Sequence, residues 1–121
     1  MSFIEIKDDK DDLRQEYARL LLENNIIYEG ECFKGEIIGY GKMIYPDGQI
    51  DIGKFFNGKL NGYGKRFYIN GNIYEGEFVE GIEHGKGKIV IKTSIGNVKI
   101  TQKGNWIYGK KVSKIFSKIK R

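Results

Sequence analysis

Gly39-Tyr40-Gly41-Lys42 and Gly62-Tyr63-Gly64-Lys65 each place a lysine behind a glycine pair, and Gly85-Lys86-Gly87-Lys88 nearly repeats them. Some phosphate-cradling loops begin this way, because glycine lets backbone N–H groups approach an anion. A dinucleotide loop also needs a third glycine and a helix behind it. After Gly41 comes "KMIYPDG", a short strand ending in a turn, so the cradle is not expected. The other reactive side chains are His84 and Cys32, the only histidine and the only cysteine. One of each gives no zinc spacing and no disulfide. Glu29, Glu31, Glu75 and Glu77 recur in register, as on a solvated strand face. No catalytic residue, metal ligand or cofactor is expected, and the chain is read as a non-enzyme.

The glycine pairs belong to a longer period. Gly30, Gly53 and Gly76 are 23 residues apart, and the columns Gly35/Gly58/Gly81, Gly39/Gly62/Gly85 and Gly41/Gly64/Gly87 keep the same register. Gly48 and Gly71 match, and Gly96 follows after a short insertion. The units are 28–50, 51–73, a longer 74–100 and a partial 101–109. His84 and Cys32 fall in different columns of this period, two repeats apart, which argues against a nucleophile pair. Within each unit, "YEGEC", "DIGKF" and "YEGEF" alternate in strand fashion, with Tyr28, Gly30 and Cys32 on one face and Glu29 and Glu31 on the other. "GKMIY", "GKRFY" and "GKIVI" supply a second strand, and "PDG" (46–48) and "NG" (70–71) supply turns. Each unit therefore reads as a β-hairpin. The Gly-x-Gly sites are expected to let aromatic rings lie across the backbone.

This pattern resembles the MORN (membrane occupation and recognition nexus) family, whose unit runs Tyr-x-Gly-x-Phe/Trp-x-x-Gly, x-x-His-Gly-x-Gly, then a strand and an Asn/Asp-Gly turn. "YEGEFVEGIEHGKG" (74–87) matches nearly every marked position, and the likeness covers about 28–109. Asp51 and Gln102 depart from the opening tyrosine, Cys32 from the aromatic kept by Phe55, Phe78 and Trp106, and only His84 keeps the histidine. The resemblance implies a mainly β fold: an elongated, single-layer antiparallel sheet with an aromatic-lined groove. Tyr28, Tyr45, Phe55, Tyr68, Tyr74, Phe78 and Trp106 are the candidate groove residues. It further implies a scaffold in a cytoskeletal, ciliary or membrane-contact assembly; the alternative, a peripheral tether binding anionic phospholipid, is expected of the basic C-terminal third.

Both ends call for caps, since a single-layer sheet cannot cover its terminal units. In residues 1–27, "DKDDLRQEYARLLLEN" (9–24) places Leu13, Tyr17, Leu20 and Leu21 at helical spacing, with Asp11 and Asp12 where a helix start favours negative charge. An amphipathic N-terminal helix is expected, preceded by a short strand at "SFIEI". In residues 110–121, Val112, Ile115, Phe116 and Ile119 share a helical face, with Lys110, Lys111, Lys114, Lys118 and Lys120 around it. This reads as a short basic helix that caps its own sheet, docks on a partner, or lies on an anionic membrane.

Residues 1–83 hold 10 Lys/Arg and 16 Asp/Glu, whereas 84–121 hold 11 Lys/Arg and no acid. Such one-sided charge implies an acidic counterpart. Protein partners, self-association or an anionic membrane fit it. Nucleic acid fits less well, because no stacking or groove-reading motif accompanies the lysines. The N-terminus lacks the pattern of a secretory signal, and no apolar run approaches the roughly 18 residues of a membrane span. An intracellular location, cytoplasmic or associated with cytoskeleton or membrane, is the expectation.

Overall fold

A computed structural model describes residues 2–5 and 16–112. Ten strands follow one another in a single antiparallel sheet whose spatial order is the chain order. They are β1 (Ser2–Glu5), β2 (Glu16–Leu21), β3 (Ile27–Phe33), β4 (Glu36–Ile44), β5 (Ile50–Phe56), β6 (Lys59–Phe67), β7 (Ile73–Val79), β8 (Ile82–Lys92), β9 (Lys99–Ile107) and β10 (Lys110–Lys111). Two-residue turns close the tight hairpins. Lys34-Gly35, Asn57-Gly58, Glu80-Gly81 and Tyr108-Gly109 all have positive φ, the handedness that matches strand twist. The other ends turn through Gly48 and Gly71, in the "PDG" and "NG" segments read from the sequence.

The register brings one residue type to one line. Ala18, Gly30, Gly41, Gly53, Gly64, Gly76, Gly87 and Gly104 are successive cross-strand neighbours from β2 to β9. At Gly30, Gly41, Gly76 and Gly87 the line needs glycine because the rings of Tyr28 and Tyr74 lie on it. A Cβ at Gly76 would stand 2.6 Å from the Tyr74 hydroxyl, and one at Gly87 only 2.5 Å from it. The first glycine of each Gly-x-Gly has a different task. Gly39, Gly62 and Gly85 adopt φ of 110°, 100° and 107° where the register slips beside Gly30, Gly53 and Gly76. These bulges bend the sheet, so the side chains beyond them close over its inner face.

That face holds the core: Ala18, Leu20, Tyr28, Cys32, Met43, Phe55, Leu60, Tyr74, Phe78 and Trp106. A single layer buries them because the curved sheet packs ring on ring. Tyr28 meets Phe55 edge-on at 5.3 Å, and Tyr74 meets Phe78 at 5.2 Å and Trp106 at 4.8 Å.

The N-terminal cap differs from the helix expected over 9–24. Residues 16–21 form β2, paired along its length with β3. Residues 9–15, with Leu13, lie outside the described residues. Burial in β2 alternates: Tyr17, Arg19 and Leu21 are exposed, Ala18 and Leu20 buried. The helical spacing of Tyr17, Leu20 and Leu21 is a coincidence of a period-2 pattern with a leucine run. "EYARLLL" (16–22) stands 23 residues before "GYGKMIY" (39–45), so β2 occupies the place of a second strand in a preceding, degenerate unit. The expected strand at "SFIEI" is β1.

At the other end, Lys110 and Lys111 pair with Ile107 and Trp106 as a strand, and the Val112 N–H bonds to Asn105 O at 2.7 Å. The expected basic helix is thus not present at its start. The remainder, with Lys114, Ile115, Phe116, Lys118 and Ile119, lies outside the described residues. Among the described residues there is no α-helix, and none long and apolar enough to cross a membrane.

Candidate interaction surface

The groove residues predicted from the sequence come together on the inner face, but they differ in access. Tyr28, Phe55, Tyr74, Phe78 and Trp106 are buried to 5% exposure or less. Their rings fill the protein's own core. Tyr28 and Tyr74 donate their hydroxyl protons to Glu31 O (2.7 Å) and Glu77 O (3.0 Å), three residues along their own strands. Burial pushes both phenols up, Tyr74 to about 12. Tyr45 and Tyr68 are half-buried at the edge of this core.

Tyr45 and Tyr68 lead to a polar cluster that no sequence motif announced. The Arg66 guanidinium forks onto Asp51, with Nε–Oδ1 and Nη2–Oδ2 both 2.9 Å, and Nη2 also donates to Gly81 O at 2.9 Å. Arg66 Nη1 lies 3.4 Å from Glu83 Oε2, which accepts the Tyr68 hydroxyl proton. The Tyr45 hydroxyl donates to Asp51 Oδ2 at 3.2 Å. Asp51 and Glu83 are only 2% and 6% exposed, so their charge is held by the arginine and the two phenols. Burial first, then the Asp51 carboxylate, pushes Tyr45 up to about 12. A signal for the cluster did exist. Asp51 stands where the neighbouring units have Tyr28 and Tyr74, and its cross-strand partner Arg66 stands where they have Met43 and Ile89. Two departures in adjacent columns mark a substituted pair.

The outer face carries the accessible aromatics. Tyr17, Tyr40 and Tyr63, 23 residues apart on β2, β4 and β6, are 61%, 64% and 61% exposed. A shallow cleft of about 380 Å³ lies between Tyr17 and Tyr40, with Gly41, Lys42 and Ile52 in its lining. The acids read as a solvated face also do local work. Glu31 accepts the Tyr40 N–H at 2.7 Å and Glu77 the Lys86 N–H at 3.2 Å, each one holding a bulge amide. Glu29 pairs with Arg19 at 2.8 Å and Glu75 with Lys88 at 3.8 Å.

Among the remaining reactive groups, His84 Nδ1 accepts the Tyr108 N–H at 3.1 Å, and its ring lies 4.8 Å from that of Tyr108, tilted by 50°. Cys32 is buried on β3. Five strand spacings separate β3 from β8, or roughly 24 Å, so the two do not meet. No group of three or more His, Cys, Asp or Glu side chains that could hold a metal occurs among the described residues.

A single open sheet of 23-residue hairpins, glycine-lined and closed by edge-on aromatics, defines a repeat protein whose units bury little alone and are stabilised by their neighbours. The chain belongs to the MORN repeat family: segments 28–50, 52–73 and 74–92 each match that repeat. A comparison with curated proteins gave no match.

Proposed function

We propose that this chain is a non-enzymatic interaction module, a small subunit or adaptor that binds a protein partner across its sheet surface and edges. MORN repeats are generally involved in protein–protein or membrane interactions, and the family match makes either class a starting point. The observation that carries the protein reading is the line of Tyr17, Tyr40 and Tyr63, each more than 60% exposed, with a shallow cleft between Tyr17 and Tyr40. Amphipathic rings held on a rigid sheet lose little conformational freedom on binding. Tyr45 and Tyr68 at the groove edge add a second contact line, while the buried groove rings support the shape. The test compares affinity purification from the source cells for the wild type and the Tyr40→Ser/Tyr63→Ser variant. A specific protein retained by the wild type and lost with the folded variant is expected. Equal recovery by both would remove the outer face from the reading.

A second reading, a peripheral tether on anionic phospholipid, is favoured by one observation. Strand alternation puts Lys86, Lys88, Lys92, Lys99, Lys103 and Lys110 on one face of β8–β10. Flotation with anionic and neutral vesicles tests it, beside Lys88→Glu/Lys103→Glu and Ile115→Asp/Phe116→Asp. Binding to anionic vesicles alone, lost in the folded variants, is the outcome this reading requires.

A further inference from the structure

Strand order equals chain order, so the charge asymmetry of the sequence becomes an asymmetry in space. Between residues 2–5 and 16–49, covering β1–β4, seven acids face three bases; residues 84–112, which end the sheet, hold seven lysines and no acid. Among the described residues the sheet is open at both ends, and its basic end is only partly covered. β10 pairs with Trp106 and Ile107 of β9 and leaves Lys99–Gly104 without a strand on that side among the described residues. Asn105 O points outward, since it accepts the Val112 N–H. By antiparallel alternation, Lys103, Thr101 and Lys99 turn their N–H and C=O groups the same way. Lys99, Thr101 and Lys103 are all exposed. At the other end β1 is paired, among the described residues, on one side only, with β2.

We infer that the uncovered edge of β9 receives the β1 edge of a second copy of this chain, so that copies add head to tail into a continued sheet. Strand addition satisfies the outward amides and carbonyls. Opposite charge selects the order, because two β9 edges repel through Lys99 and Lys103 and two acidic ends repel likewise. The contact is heterologous and does not close, so its product is an open series and not a dimer. It does not depend on the external partner proposed above, and the purified chain alone tests it.

Sedimentation velocity and small-angle scattering, from about 0.02 M to about 0.5 M salt, are the measurements. At low salt the mass is expected to rise with concentration without stopping at two copies, as rods, and to fall to 13.9 kDa at high salt. Lys99→Glu/Lys103→Glu is expected to lose every species above the monomer. Thr101→Pro is expected to do the same, since it removes an outward donor at an edge that tolerates proline. If the proline variant fails to fold, the charge variant carries the test. Added to wild type, Lys99→Glu/Lys103→Glu can join only through β1 and shortens the rods. A monomer at every concentration, with β9 amides protected from exchange, would mean that the chain's own residues beyond Val112 cover the edge and would overturn the inference. So would a series that ends at the dimer, or one indifferent to salt and to both variants.

Discussion

At the residue scale, the two glycines of each Gly-x-Gly fail differently. Gly76→Ala would drive a Cβ to 2.6 Å from the Tyr74 hydroxyl and 2.5 Å from Lys86 O, with backbone on one side and a buried ring on the other. The expected loss is about 3 kcal/mol, the upper end of overpacking. Gly104→Ala, in the same glycine line, meets only the flexible end of Lys111 at 3.0 Å and should stay within about 0.5 kcal/mol of wild type. Urea denaturation of the two variants separates these outcomes. The phenols give a pH dependence. Tyr45 and Tyr74 ionise at about 12 in the fold against 10.0 for the ordinary group, and Tyr28 and Tyr68 are raised as well, with burial the largest cause in all four. The unfolded chain therefore releases these protons first. The stability they confer is complete below pH 10 and is lost as pH rises towards about 12. Thermal melts from pH 9 upward should show the midpoint falling above about 10, with buried phenolate absorbance appearing only as the fold is lost.

At the scale of elements, β2 separates the two readings of its residues. On a helix Tyr17, Leu20 and Leu21 would share a buried face. In the strand only Leu20 is buried, at 7%, against 61% for Tyr17. Leu20→Ala should cost about 2–5 kcal/mol. Tyr17→Ser should cost no more than about 0.5 kcal/mol. Equal costs in denaturant titrations would restore the helix. The hairpins were legible because their signals are local: alternation in "YEGEC", turn glycines, and columns 23 apart. Strand β2 was not, because Ala18 replaces the glycine and a leucine run satisfies both periods. What holds it as a strand is the ladder to β3, a tertiary contact. The Asp51–Arg66–Glu83 cluster was hidden for a related reason, since its members lie 15 to 32 positions apart and meet only through the register. The aromatic columns were legible in position, but their burial depends on how far the bulged sheet curves. Single-sequence patterns do not carry that.

At the scale of the whole molecule, each strand is stabilised by its two neighbours, and, among the described residues, the end strands by one. Such a chain opens from its ends. Amide exchange is expected to be slowest in β4–β7, which have paired strands on both sides and the buried Phe55, Leu60, Tyr74 and Phe78 between them. It should be fastest in β1 and β10. Uniform protection across all strands would show instead that the sheet unfolds as one unit.

The sequential order of strands also has a mechanical meaning. Among the described residues, the first strand lies at one edge of the sheet and the last at the other. A pull on the two ends loads the interstrand ladders in peeling and not in shear, so bonds break singly and at low force. Each unit of 23 residues would release about 80 Å of extended chain. The sheet would narrow by only roughly 10 Å for each unit lost. A module built this way is a reserve of slack, able to release length in steps between whatever its two ends are tied to.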